Sequence, residues 1–322
     1  MSPGRRRGGA LLGVLALVSA GAAACGGADD TPDVRRLGVL RSVAASPDEA
    51  AFFDELGLPA ERLVVYGRDR DAVQVDAGDV ASVVRRWVGR GTELLLALST
   101  TTAMAADDAT DDVPILFLSN DPVGTGLVEN ARHPEAMSTG VGYRVPSDRT
   151  LALAEEVFGE LTDVGCISHA EDPASAPPLA DLRRGAAALD MALHCATIRE
   201  PSDAPAAVAE VAAAGAQVVV VVGSPGTVAA AGELGAALAS ARVPAITTNP
   251  ADYAVLTLQP DSEVVYRQLA RQARRLLDGV DPADVPVEDP GRFILRLNLS
   301  VARQLGISVP DDVVRRADDV VR

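Results

Sequence analysis

The chain has 322 residues, of which 48% are hydrophobic and 23% charged, a globular balance too large for one small core, so two domains are expected. Acidic residues outnumber basic ones by 45 to 29, and the formal net charge of −16 argues against nucleic acid as a partner. Every basic residue is Arg, so no Walker A Lys is available and any ATP-driven work would depend on another protein.

At the N-terminus, Arg5, Arg6 and Arg7 precede an apolar run from Leu11 to Val18, and the small residues Gly21 to Ala24 lead to Cys25. This is the pattern of an export signal, and the apolar run is too short for a spanning helix. Cys25 directly after small residues resembles the bacterial lipobox, although Ala22 stands where a larger residue is usual. The expectation is lipidation at Cys25, with residues 1–25 as signal peptide and 26–34 as a flexible tether holding the protein to the outer face of the membrane.

Beyond Arg36, short β-branched or Leu-rich runs alternate with Ala-rich stretches of helical spacing, the signature of βα units around parallel sheets. The first half predicts strands at Leu37–Arg41, Leu63–Tyr66, Leu94–Leu98, Ile115–Leu118 and Thr139–Val141. Helices are predicted over Asp48–Leu56, Val75–Gly89, with Trp87 in the core, and Thr102–Asp108. The second half repeats the pattern, with strands at Val164–Ser168, Leu193–Ile198, Val218–Val222, Ala245–Thr247 and Val255–Leu258. Its helices are predicted at Pro178–Met191, Ala204–Ala214, Pro225–Ala239 and Ser262–Asp278. The fold class is therefore α/β, two doubly wound parallel-sheet lobes joined by a hinge, with lobes at 35–143 and 144–258. Residues 259–322 would return across the hinge to complete both.

Open α/β sheets bind ligands beyond the C-terminal edges of their strands, so the strand-to-helix turns are the candidate site. Ser99, Thr100, Thr101 and Thr102 follow an apolar strand at a helix start, where either free amides and the helix dipole receive a carboxylate or one of the Thr residues simply caps the helix. Gly223 to Gly226 holds the corresponding place in the second half. Asp121 before Pro122 is either a receptor for a ligand amine or an Asx turn closing on its own backbone. Cys166 and Cys195 lie in short β-like runs, where a disulfide and two buried free thiols are both open. With His133, His169 and His194 they offer no metal-ligand spacing, and no cofactor is expected.

The segment VPILFLSNDPVGTGLVENARHPEAMSTGVG, Val113 to Gly142, resembles the substrate-binding lipoproteins of one ABC transporter family that includes aromatic amino-acid binding members. ARQARRLLDGVDPADVPVE and the closing FILRLNLSVARQLGISVPDDVVRRADDVV are similar to later parts of the same family, in the same order. The resemblance implies the type I periplasmic binding protein fold and a monomer that captures a small organic solute, amino acids among them. The solute would pass to a membrane permease and its ATPase, and the protein would not be an enzyme. By position it implies ligand contacts from Ser99 to Thr102, Asn120 and Asp121 in the first lobe. In the second lobe it implies His169, Ser175, Ser224, Thr227, Asn249 and Tyr253, with Tyr143 and Tyr253 as stacking surfaces. The chain departs from the family at Ala254–Gln259, where a Gly-rich stretch is usual, and at the turn Ser42–Ser46, which lacks the usual polar and aromatic residues. Two rivals remain: a ligand-sensing lipoprotein for a membrane receptor, and a secreted α/β enzyme, against which stands the absence of a Gly-x-Ser-x-Gly elbow.

Overall fold

The computed structural model describes residues 34–42, 45–67, 77–134, 137–172 and 174–322. The export segment, Cys25, the tether and the start of the helix expected from Val75 lie outside the described residues.

Among the described residues twelve strands form two sheets. The first contains β1 (Arg35–Leu40), β2 (Leu63–Tyr66), β3 (Leu94–Ala97), β4 (Ile115–Ser119) and β5 (Ser138–Gly142), all parallel, in the order β2-β1-β3-β4-β5. The second contains β6 (Asp163–His169), β7 (Ala192–Ile198), β8 (Val218–Val221), β9 (Ala245–Thr247), β10 (Leu256–Pro260), β11 (Phe293–Asn298) and β12 (Asp319–Val321). Its order is β12-β11-β10-β9-β8-β6-β7, with β11 antiparallel to β10. From β6 to β10 the order repeats that of the first sheet, so each lobe reverses strand order at one place: between β1 and β3, and between β6 and β8.

The helices are α1 (Ala50–Leu56), α2 (Ala77–Val88), α3 (Thr100–Asp107), α4 (Ser147–Phe158), α5 (Ala176–Ala188), α6 (Ala204–Ala213), α7 (Pro225–Ala229), α8 (Ala231–Ala241), α9 (Ser262–Leu277), α10 (Leu299–Leu305) and α11 (Asp311–Arg316). Helix α4 went unread in the sequence because its first turn, Ser147 to Thr150, is polar. Its apolar positions Leu151, Ala154 and Val157 recur at helical spacing and are all buried. The single helix expected over Pro225–Ala239 is two, interrupted at Ala230, whose φ of −91° and ψ of 10° leave the helical range.

Central strands are apolar on both faces because helices cover both sides of each sheet. Leu37, Leu94, Leu96 and Leu116 are fully buried, each contributing roughly 1.5–3 kcal/mol. Helix α9 follows β10 of the second sheet but packs on the first, where Val265, Leu269 and Ala273 join those leucines in one core. Trp87 is buried in a second core on the opposite face of that sheet. Asn298 ends β11 and caps α10, its Oδ1 accepting from Val301 N at 3.1 Å.

Strands β6 and β7 pair in register at Cys166 and Cys195, whose Cα atoms are 4.5 Å apart, and the two residues form a disulfide. Direct parallel pairing brings the sulfurs together, which resolves the alternative left open by the sequence in favour of the bond.

Candidate ligand-binding site

Both points of strand reversal open onto one cavity of about 380 Å³. At such a point neighbouring βα connections leave on opposite sides of the sheet and part to leave a crevice. The turns after β1 and β3 supply Arg41, Ser42, Ser99 and Thr100; the turns after β6 and β8 supply Ala174, Gly223 and Ser224. Asn120 follows β4, Asn249 follows β9, and Tyr143 follows β5. The wall is completed by α9 through Ser262, Val265 and Tyr266, and by the apolar Leu98, Leu118, Pro225 and Val228.

Ser99 begins α3 as its N-cap, with Oγ accepting from Thr102 N at 3.2 Å. Thr100 Oγ1 bonds Ser119 Oγ at 3.1 Å and accepts from Asn120 N at 3.2 Å, tying the turns after β3 and β4 together. Ser224 caps α7 in the same way, with Thr227 returning the bond to Ser224 N at 3.0 Å. Among the residues expected to contact ligand, Ser99, Thr100, Asn120, Tyr143, Ser224 and Asn249 line the cavity.

The remaining expected residues stand elsewhere. Thr102 is buried and bonds back to Ser99, because successive residues of a helix turn about 100° and only the first of the three threonines, Thr100, lines the cleft with the cap Ser99. Thr101 reaches Asp172 Oδ1 at 3.4 Å. Asp121 Oδ1 accepts from Gly124 N at 2.8 Å, the Asx turn rather than an open receptor for an amine. His169 Nε2 bonds the Arg199 carbonyl at 2.9 Å, and the buried Ser175 Oγ has no hydrogen-bond partner among the described residues. Thr227 is buried in its capping box. Tyr253 lies against Gly235 of α8, where burial pushes its phenol up to about 12.

The turn after β1 is more polar in effect than the sequence suggested. Arg41 and Glu49 flank it and form a two-pronged ion pair, with Arg41 Nε donating to Glu49 Oε2 at 2.9 Å and Nη2 donating to Oε1. They are 5% and 4% exposed. A charged residue closing the buried run LGVLR was the available signal, since an Arg at a strand's C-terminal edge beside a strand reversal faces the crevice. Ser262 and Tyr266 carried no such signal, because they belong to a helix more than 100 residues beyond Tyr143. The Tyr143 hydroxyl bonds Ser262 Oγ at 3.0 Å. Burial raises the pKa of Tyr143, with the Ser262 bond opposing, and burial also raises that of Tyr266.

Two side chains of the first lobe reach across the cleft. Asn120 Nδ2 donates to Ala174 O at 3.2 Å and to Gly223 O at 3.3 Å. Asp172, which receives Thr101, also accepts from Gly226 N at 3.1 Å and Ala174 N at 3.0 Å. The arrangement can hold a small solute between opposed polar turns. Among the described residues no group of three or more His, Cys, Asp or Glu could hold a metal.

Comparison with known proteins gives one curated relative, the tyrosine-binding protein of Clostridioides difficile (strain R20291), 30% identical over 105 residues. That match takes in 32% of this chain and 30% of the relative's length. A conserved domain protein from Vibrio cholerae superposes with a TM-score of 0.80 at 23% identity, over 89% of this chain and 99% of that one. A domain crystallised with L-Trp from Streptococcus pneumoniae superposes with a TM-score of 0.79 at 18% identity, over 89% and 100%. The fold is that of the type I periplasmic binding proteins, in two lobes. The family model described as ABC transporter substrate binding protein matches residues 66–321, and the chain belongs to that family.

Proposed function

We infer that the protein captures a small organic solute between its lobes outside the cytoplasm and presents it to an ABC permease, whose ATPase supplies the energy in trans. The observation that carries this reading is the cavity shared by the two strand reversals and lined by turns from both lobes. Its volume lies at the small end of ligand pockets, which suits an amino-acid-sized solute. The ligands named for the relatives, tyrosine and L-Trp, support amino acids as the first class to try. The protein itself would do no chemistry. Ser224 is committed to capping α7, and the carboxylate of the cavity wall, Glu49, is bonded to Arg41 and not to Ser224.

The lobes are read as 35–143 and 144–258, completed by 259–322, and the working unit as a monomer. Attachment to the membrane would run through acylated Cys25 and the tether, since no helix among the described residues is long and apolar enough to cross a membrane.

A thermal-shift screen against amino acids, purines, sugars and small organic acids tests the reading. At a ligand concentration about 100-fold above Kd, a true solute adds about 2.7 kcal/mol of stability. The expected result is one chemical class raising Tm with no product formed. Turnover of a bound compound, or a flat screen on a cooperatively folded protein, would sink it.

A further inference from the structure

We propose that the Arg41–Glu49 pair is the head-group reader of the cavity and selects a solute carrying an ammonium and a carboxylate on neighbouring atoms. The proposal rests on the solute-capture reading and adds residues and a charge rule to it.

Among the described residues lining the cavity, Arg41 and Glu49 are the charged ones, of opposite sign and bonded to each other. The wall therefore carries no net charge. A solute with a single charge would bury it without compensation, whereas a solute with both charges forms an alternating set of four.

The pair, which lines the cavity, also keeps bonding capacity not used among the described residues. A guanidinium has five N–H donors, and Arg41 uses three: two on Glu49 and one, from Nη1, on Gly67 O. Each Glu49 oxygen accepts one of these bonds and keeps a further lone pair. Beside them Ser42 also lines the cavity, and its Oγ is shielded from solvent and has no hydrogen-bond partner among the described residues. Two N–H groups and a hydroxyl suit a carboxylate, and the remaining lone pairs of Glu49 suit an ammonium.

The geometry of the other acidic groups points the same way. Asp121 is closed on Gly124 N, and Asp172 is taken by Gly226 N, Ala174 N and Thr101. Neither lines the cavity, which leaves Glu49 as the carboxylate at hand. An ion pair buried in a wall gains little over apolar residues of the same size, so its place beside a cavity is better explained by what it binds than by stability.

The test compares matched compounds by calorimetric titration of the purified protein: L-tyrosine, tyramine and 3-(4-hydroxyphenyl)propionate, then L-leucine, 3-methylbutylamine and 4-methylpentanoate, with sugars and purines alongside. The expected result is that an amino acid binds and both of its singly charged counterparts bind more than tenfold more weakly. The double variant Arg41→Met/Glu49→Leu, which removes both charges together and keeps the volume, is expected to fold and to lose more than tenfold in affinity. A singly charged counterpart binding within tenfold of the amino acid overturns the proposal, as does a folded double variant that retains its affinity. If that variant does not fold, the matched compounds on the unaltered protein still decide. Binding of sugars or purines alone overturns the charge rule and leaves solute capture standing; binding of nothing removes both.

Discussion

The side-chain amide of Asn120, in the turn after β4 of the first lobe, donates to the main-chain oxygen of Gly223, in the turn after β8 of the second, at 3.3 Å. Its other hydrogen goes to Ala174 O at 3.2 Å. One residue thus spans the cleft with both donors, and both bonds would break if the two lobes parted. In a two-state hinge they would favour the closed form without any contribution from a solute.

Replacing Asn120 by Ala removes both bonds. At about 0.5–1.5 kcal/mol each, the closed state loses roughly 1–3 kcal/mol, a factor of about 5 to 150 in its population relative to the open form. If the closed form is what binds tightly, affinity falls by a similar factor. Small-angle scattering of the unliganded variant should report a larger radius of gyration than the unaltered protein, and titration with the screened solute a weaker Kd. Unchanged scattering and unchanged affinity together would show that Asn120 is no latch.

The disulfide between Cys166 and Cys195 closes a loop with a sequence separation of 29. Loop-closure entropy gives such a link about 3–4 kcal/mol of stabilisation. The double substitution to Ala, or treatment with a strong reductant, is expected to lower Tm by several degrees. Neither Cys lines the cavity, so solute affinity should stay within about twofold. Equal melting with and without reductant, with both thiols alkylated in the denatured and unreduced protein, would contradict the bond.

Burial raises the pKa of Tyr143, Tyr253 and Tyr266, that of Tyr253 to about 12. In the unfolded chain these phenols ionise near 10. Between that pH and the raised folded values the unfolded state binds fewer protons, so the stability these groups contribute is fully present below about pH 10 and is lost as pH rises further. Absorbance at 295 nm and pH 11 should therefore be lower in the native protein than in guanidinium at the same pH, and the urea midpoint should fall steadily above pH 10. Tyr253→Phe should flatten part of that fall; an unaltered slope would remove Tyr253 from the account.

What the sequence determined by itself is local in origin. A buried strand needs a short continuous apolar run and a surface helix needs an apolar stripe, so Leu94–Ala97, Val218–Val221 and their neighbours, and with them the doubly wound class, could be read from consecutive residues. The helix cap Asn298 was legible for the same reason, since it satisfies an amide three residues away, whereas Ser99 and Ser224, read as ligand contacts, also cap α3 and α7. The cavity wall was not local. Whether Thr100 or Thr102 faces the cleft depends on helix phase, and Asp121 spends its carboxylate on Gly124. Arg41 meets Glu49 eight residues along the chain, and Tyr266 and Ser262 arrive on a helix that leaves the second sheet to cover the first. Each of these depends on the distance between groups far apart in the chain, which packing sets and residue type alone does not.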